Sequence, residues 1–313
     1  MVRSATHSRR LAIDKKLSAT GLMFVLPFFI IYGVFNIFPI VYSFYLSFFD
    51  WNGVKEKVYL GFSNYIDLFT RDAYFLKSIG NVLVIMVGYL PITLVLGLLL
   101  AVLLFDKNIK RKRFFQTAQF LPYIVVPVAC GLLFMLLFDW GTGVVNRMLI
   151  SLGFIDKGIN WLGSPMTARL VLVLMQSWKL LGYVMTIYLA GLTNIPAELI
   201  EAAEIDGAKK TQVLWNVIIP LLKNVSMFLL LTGVIDGLQL FDAPKVLLTT
   251  GQVGAYIGGP ERSCLTPVWY LYHQAFNNFR MGMGATIAYG LFLFIALFTA
   301  LNYKLGNRKG EEA

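Results

Sequence analysis

Six long apolar runs divide the chain. They lie at about 21–49, 78–105, 114–138, 166–190, 221–243 and 283–303. Each has the roughly 20 mainly apolar residues that an α-helix needs to cross a bilayer. The pattern therefore predicts an all-α membrane protein with six transmembrane helices. Pro91, Pro122 and Pro127 interrupt these runs and predict kinks or breaks in the helices that contain them.

A patterned polar segment separates the fourth run from the fifth. From Glu201 to Pro220 it reads EAAEIDGAKKTQVLWNVIIP. Pro196 suits the first position of a helix, and the acidic residues that follow are favoured near the positive end of the helix dipole. Gly207 can adopt the left-handed conformation that a sharp bend requires. The segment thus predicts a helix, a bend and a second amphipathic helix at the membrane surface.

These residues carry a resemblance to a known signature. The segment has EAA, then Gly207, then Val217, Ile219 and Pro220. This spacing resembles the EAA signature of the membrane subunits of bacterial ABC importers, and EAAEIDGA with IIPLL is closest to the carbohydrate permeases of the maltose transporter type. The similarity in helix order extends over nearly the whole chain. Asn224 departs from the pattern, since many relatives have a further proline there.

The resemblance implies a fold, a set of partners and coupling residues. The fold is that of a type I ABC importer permease, with an EAA coupling helix in a cytoplasmic loop at 191–223. The partners are a second, homologous six-span permease, two ATP-binding subunits and an extracytoplasmic solute-binding protein that delivers a sugar. The residues implied to couple the chain to the ATPase are Glu201, Ala202, Ala203, Asp206 and Gly207. Glu201 would pair with a basic group of the ATPase, the two alanines would allow close approach, and the glycine would fix the bend.

Lysine and arginine predict the orientation in the membrane. Sixteen of them lie in the N-terminal tail, the loop at 106–113, the EAA loop and the C-terminal tail, against nine in the intervening loops. The positive-inside rule therefore places both termini and the EAA loop in the cytoplasm, and the resemblance implies a multi-pass protein of the bacterial cytoplasmic (inner) membrane. The predicted domains are a cytoplasmic tail at 1–20, a six-span permease domain at 21–304 and a second tail at 305–313. The first run is too long for a secretory signal and has no small-residue cleavage pattern, so we expect it to be retained.

Composition agrees with a membrane subunit. Hydrophobic residues make up 58% of the chain and charged residues 14%, which departs from ordinary soluble usage in both directions. The net charge of +10 comes largely from the basic cytoplasmic segments, so we expect a lipid bilayer and no nucleic acid as a partner. Cys130 lies in a span and Cys264 in an outer loop, depths at which pairing is not expected.

The motifs of common enzymes are missing from the sequence. It has no Gly-Lys dipeptide and hence no Walker A loop, and no H-E-x-x-H or G-x-S-x-G motif. Its two histidines, His7 and His273, are too few and too far apart for a metal site built on imidazole. We therefore expect a translocation subunit with no catalytic residue, no metal and no cofactor of its own, and we expect ATP and Mg on the partner ATPase subunits.

Polar side chains within the spans are the candidates for contact with cargo, since such groups usually face a bundle interior or a cavity. They are Gln176, Lys179 and Tyr183 in the fourth run, and Thr232, Asp236 and Gln239, with Asp242, in the fifth. Trp178 adds an indole of the kind that stacks on sugar rings. The positions in register with the cargo site of maltose-type relatives are Gln176, Trp178, Gly233, Asp236, Gly237 and Leu240.

Two structural alternatives for these residues stay open. Lys179 and Asp236 could neutralise one another between helices without touching cargo. Gly233 and Gly237 have small-xxx-small spacing and could serve close helix packing instead of a ligand.

For the whole chain, the resemblance favours a permease subunit of an ATP-driven, binding-protein-dependent importer for sugars, either an oligosaccharide or a related glycoside. It would couple ATPase closure to alternating access. The alternative is an ion-coupled secondary transporter in which Asp236 carries the ion site, and a membrane scaffold without transport is a third candidate. The outer loops at 50–77 and 139–168 hold interface aromatics, and the Gly-rich run at 249–260 could form turns that face the solute-binding protein.

Overall fold

The computed structural model describes residues 21–106, 109–249 and 257–308. The tail predicted at 1–20, most of the Gly-rich run at 249–260 and the end of the C-terminal tail lie outside the described residues. The helices are α1 Gly21–Leu46, α2 Ser63–Thr70, α3 Ala73–Phe105, α4 Lys112–Ile124, α5 Pro127–Leu137, α6 Val144–Ser151, α7 Pro165–Thr193, α8 Ala197–Ile205, α9 Lys210–Leu221, α10 Lys223–Leu238, α11 Asp242–Thr249, α12 Pro267–Tyr272 and α13 Met281–Arg308. Two short antiparallel strands, β1 Phe49–Asp50 and β2 Val58–Tyr59, form a hairpin after α1.

The long helices follow the predicted apolar runs, but two runs are bent. In the described part of the chain, α1, α3, α7 and the Met281–Ala300 portion of α13 are long and apolar enough to cross a membrane unbroken. The pairs α4–α5 and α9–α10 are bent by 95° and 64°, which gives up to six spans if each pair is one span. Pro91 and Pro122 lie inside helices, whereas the break in the third run falls just before Pro127. Pro127 is the first residue of α5, a position where proline suits a helix start.

Glycines allow α3 and α7 to run side by side in the same direction. A Cβ on Gly88 would lie 2.6 Å from Val173 Cγ2, and one on Gly97 would lie 2.6 Å from Val184 Cγ1. Both distances are shorter than real Cβ contacts, so larger side chains would push the helices apart. α10 packs on α3 in the opposite direction, as alternating spans require.

Two hydrophobic clusters fill the bundle, one toward each end of α3 and α7. The larger joins the first half of each helix to α5 and to α10–α13, and we call this the hairpin end because it also carries β1–β2, α2 and α6. The smaller joins the second half of each helix to α9, and we call it the EAA end. At the hairpin end Asp72 Oδ1 accepts hydrogen bonds from the backbone N–H groups of Tyr74 (2.8 Å) and Phe75 (3.0 Å), which caps α3.

Candidate coupling and cargo sites

The EAA segment folds as two helices joined by a capped bend. α8 starts directly after Pro196, and its residues are mostly strong helix formers. It ends in a Schellman motif, in which the Gly207 N–H donates to the Glu204 carbonyl (3.1 Å) and the Ala208 N–H donates to the Ala203 carbonyl (2.9 Å). Gly207 has φ of +84°, the left-handed conformation that the motif requires. The bend predicted at this glycine is therefore present.

Exposure divides the predicted coupling residues into two groups. Glu201, Ala202 and Asp206 are exposed, whereas Ala203 is half-buried and packs on the cluster of the EAA end. Ile205 follows Glu201 by one turn and is 86% exposed. Ala203 thus holds α8 on its own bundle, while the other side of α8 presents acidic and apolar side chains to the surroundings.

α9 returns the chain from the bend to the bundle. Val213 and Ile218 are buried in the cluster of the EAA end, and Trp215 is 66% exposed. The Lys210 ammonium lies 3.4 Å from the Asp106 carboxylate at the end of α3. Because the Lys210 side chain is 90% exposed, this pair adds little stability. The buried side chains of α9 therefore provide most of its attachment to the spans.

Gln176 in α7 is buried with an unsatisfied oxygen. Its side chain is 6% exposed, and Oε1 has no hydrogen-bond partner among the described residues, nor does the Oγ of the adjacent Ser177. Leaving a buried polar group unpaired costs about 1–3 kcal/mol. Trp178 is 38% exposed, and its ring centroid lies 5.7 Å from that of Phe134. This stretch of α7 therefore combines unused hydrogen-bonding capacity with an accessible indole.

Gly233 and Gly237 bring α10 close to α3. A Cβ on Gly237 would lie 2.6 Å from Tyr89 Oη and 2.7 Å from Met86 Cγ, and one on Gly233 would lie 2.7 Å from Leu90 Cδ2. Tyr89 is buried, and its hydroxyl lies 3.5 Å from the Gly233 carbonyl. These contacts are those of close helix packing, the alternative that the small-xxx-small spacing left open.

Lys179 and Asp236 do not form an ion pair in the described structure. Lys179 lies within electrostatic range of Cys130 on α5, whereas Asp236 lies within range of Tyr89 and Tyr183. The two charges thus have different surroundings, and mutual neutralisation does not explain them. Asp236 is exposed between the two packing glycines.

The predicted cargo positions therefore differ in what they can contact. Leu240 is half-buried and packs on the cluster of the hairpin end, as part of the bundle interior. Asp236 and Trp178 keep accessible surface, and Gln176 keeps an unpaired oxygen. Asp236 and Trp178 thus have the access that hydroxyl-rich cargo requires, whereas Gln176 offers an unused acceptor that is buried in this structure.

A polar network at the hairpin end was not predicted from the sequence. Arg169 in α7 donates from Nη2 to Asn81 Oδ1 (3.0 Å) and from Nε to the Ser263 carbonyl (3.0 Å). Asn81 donates in turn from Nδ2 to the Arg262 carbonyl (2.7 Å). The network ties the segment after the Gly-rich run to α3 and α7. An arginine within an apolar run was the signal that would have found it.

The cysteines are free and buried. Burial raises the pKa of the Cys264 thiol to about 11, so this group is a thiol and not a thiolate near neutral pH. Within the described ranges, no three His, Cys, Asp or Glu side chains are grouped to hold a metal ion.

The helical bundle and its EAA segment define the chain as a membrane permease of the ABC importer class. The family model described as binding-protein-dependent transport system inner membrane component matches residues 16–310. The chain belongs to this family, and it is a multi-pass membrane protein.

Individual relatives agree with the family. The chain is 33% identical over 305 residues to the arabinooligosaccharides transport system permease protein AraP of Bacillus subtilis (strain 168). The alignment covers 97% of this chain and 93% of the relative. It is also 33% identical over 300 residues to the lactose transport system permease protein LacF of Rhizobium radiobacter. That alignment covers 96% of this chain and 97% of the relative. Membership of this family does not support the ion-coupled alternative.

A solved structure has the same fold. It is a bacterial ABC transporter involved in the import of the acidic polysaccharide alginate, and one of its chains matches with a TM-score of 0.78 at 21% identity, covering 96% of this chain and 99% of that chain.

Proposed function

We propose that the chain is a permease subunit of an ATP-driven importer that receives an oligosaccharide or related glycoside from a solute-binding protein. The family match carries the class of protein. The cargo class is supported by relatives named for arabinooligosaccharides and lactose and by the likeness to an alginate importer.

The EAA segment is the proposed attachment point for the ATPase. The exposed side of α8 offers Glu201, Ala202 and Ile205, a charged, small and apolar set that suits a groove on a partner protein. The Schellman bend and the buried side chains of α9 join this surface rigidly to α10. ATP and Mg are held by two partner ATP-binding subunits, and closure of these subunits moves α9 and α10 through α8.

The proposed assembly also contains a second, homologous permease. Each bent pair counts as one span, which gives six, with both termini and the EAA end in the cytoplasm and the hairpin end outside. The cargo path runs between the two permeases, past Asp236, Trp178 and Gln176. The Gln176 oxygen is buried and unpaired in this structure, and in the proposal it accepts a hydrogen bond from a sugar hydroxyl once the path opens.

Uptake by the reconstituted complex tests the proposal. The chain, its partner permease, the ATP-binding subunits and the solute-binding protein are placed in liposomes, and ATP-dependent uptake of a panel of labelled oligosaccharides is measured. We expect uptake of at least one oligosaccharide, and loss of both uptake and ATPase binding in Glu201→Lys.

Glu204→Lys is the matched control, since Glu204 is an exposed acidic residue of the same helix that lies outside the arc of Glu201, Ala202 and Ile205. It should keep the ATPase bound and most of the uptake. Equal loss in both variants would argue against a specific contact of Glu201, and uptake of a phosphodiester or polyamine instead of sugars would overturn the cargo class.

A further inference from the structure

We propose that α6, Val144–Ser151, lies in the lipid interface at the hairpin end and anchors the ends of α5 and α7 there. The inference goes beyond the transport function. It uses the orientation proposed above only to assign the outer leaflet.

The loop that carries α6 is rigid because it is built around one buried asparagine. Asn146 Nδ2 donates to the carbonyls of Trp140 (3.1 Å) and Ile159 (2.9 Å). Its Oδ1 accepts from the Ile159 N–H (3.1 Å) and from Trp161 Nε1 (2.8 Å). Asn146 is 3% exposed, so these bonds hold the segments on both sides of α6 at fixed positions around it.

The rigid loop gives α6 three distinct sides. Asn146, with the partly buried Val145 and Leu149, faces the protein. The apolar side chains of Val144, Met148 and Leu152 repeat every four residues. They are 50%, 61% and 57% exposed and form a stripe that no described residue covers. The third side carries Arg147 and the 44% exposed Ile150, whereas Ser151 follows Val144 by two turns and borders the stripe.

The position of α6 favours lipid as the occupant of the stripe. α6 lies between the end of α5 and the start of α7, both of which belong to the apolar bundle, and so it lies where the membrane surface must be. Trp140 is 63% exposed, yet its Nε1 donates to the Gly158 carbonyl (3.2 Å), which leaves the ring as the free surface. Phe154, 73% exposed, lies just beyond α6. Aromatic rings with satisfied polar atoms are typical of the membrane interface.

The charged side chains near α6 also favour a position in the lipid interface. An amphipathic helix in the interface keeps its apolar side in the acyl region and its cationic side at the headgroups. Arg147 meets that requirement beside the Met148 stripe. Lys157, exposed in the same loop, is adjacent to the exposed Asp156, so the cationic contribution comes from Arg147.

Nitroxide accessibility tests this assignment in the assembled importer. Met148→Cys and the matched control Arg147→Cys, on the polar side of the same helix, are each spin-labelled in vesicles of phosphatidylethanolamine and phosphatidylglycerol. The native cysteines are buried, so the parent should take up no label. Oxygen partitions into lipid and a nickel chelate stays in water. We expect the ratio of collision rates, oxygen to nickel, to be several-fold higher at Met148 than at Arg147, with transport retained in both variants.

Two outcomes would overturn the proposal. Equal nickel access at both sites would place the stripe in water, and shielding of Met148 from both reagents would mean that a protein subunit covers it. An impermeant thiol reagent applied to Arg147→Cys tests the side of the membrane separately. Labelling only from the cytoplasmic side would overturn the orientation and the assignment of α6 to the outer leaflet. Sugar transport does not depend on any of these results, so the proposed function is tested separately by uptake.

Discussion

At the residue scale, the closest approach between spans depends on one glycine. A Cβ on Gly182 would lie 1.8 Å from the Gln119 carbonyl oxygen, so α7 and α4 meet main chain to main chain. Gly80 in α3 differs, because nothing lies within 4 Å of its Cβ position. Both residues have the conformational freedom of glycine. Only at Gly182 would a side chain collide with a neighbouring helix.

Gly182→Ala should therefore destabilise the protein, by about 1–3 kcal/mol, because the backbone of α4 must move to accept the methyl group. Thermal unfolding in detergent would show a lower midpoint, and uptake should fall. Gly80→Ala is the matched control, and it should leave uptake unchanged and not lower the midpoint, because alanine favours the helix and meets no neighbour there. Similar midpoints for the two variants would show that α4 adjusts without cost.

His273, after α12, gives the protein a pH dependence. Burial, together with the nearby Arg262 guanidinium, lowers the pKa of His273 from 6.5. Below pH 6.5 the unfolded chain then binds more protons at this residue than the folded chain, so stability rises with pH from the lowered folded pKa up to about 6.5.

Replacing this imidazole should flatten that dependence. His273→Gln removes the titration, so its thermal midpoint should fall less between pH 7 and pH 5 than the parent midpoint does. The His7→Gln variant keeps His273 and serves as the reference. If His273→Gln keeps the slope of this reference, another group is responsible.

At the element scale, the bend between α8 and α9 depends on backbone conformation and not on space. Gly207 has φ of +84°, and nothing lies within 4 Å of its Cβ position. A side chain here would be strained by its conformation alone, and asparagine tolerates the left-handed region better than a β-branched residue does.

A graded series at this position tests the bend. Gly207→Asn should keep ATP-dependent uptake, whereas Gly207→Val should lose most of it, because the misdirected α8 no longer reaches the ATPase. ATPase activity stimulated by the loaded solute-binding protein is the measurement. Equal activity in the two variants would show that coupling does not need the left-handed bend.

The sequence predicted the positions of the helices better than it predicted where they bend. The apolar runs predicted where the long helices lie. The bend at Gly207 was predicted because glycine readily adopts the left-handed conformation that a sharp bend requires. Three prolines predicted kinks or breaks. Pro91 and Pro122 lie inside continuous helices, and a 95° break occurs just before Pro127. A proline removes one hydrogen bond, and whether the helix then bends depends on the neighbours that compensate for it.

At the scale of the whole molecule, the chain leaves much apolar surface for other molecules. The apolar stretch of α1 is not buried at all, and α1 contacts α13 near its end, where the hydroxyls of Ser43 and Tyr289 lie 3.1 Å apart. Val87 on α3 is 74% exposed. Such surface requires lipid or another subunit, whereas the exposed carboxylate of Asp236 requires an aqueous path.

Cysteine accessibility distinguishes these two environments. In the assembled importer, Asp236→Cys should react with a charged thiol reagent, and bound cargo should slow the reaction. Val87→Cys should not react, because lipid or another subunit covers its side chain. Reaction at both positions, or at Val87 alone, would contradict the proposed path.

The sequence by itself determined the class of protein, because crossing a bilayer requires long apolar helices and the EAA segment has its own local signature. Tertiary structure decided what the polar and small residues within the spans do. Gly233 and Gly237 pack against α3, Lys179 and Asp236 are apart, and Gln176 keeps an unpaired oxygen. Hydrophobic periodicity shows that a residue lies in a helix. Which neighbour that residue meets depends on how the helices cross, and this is set by contacts between residues far apart in the chain.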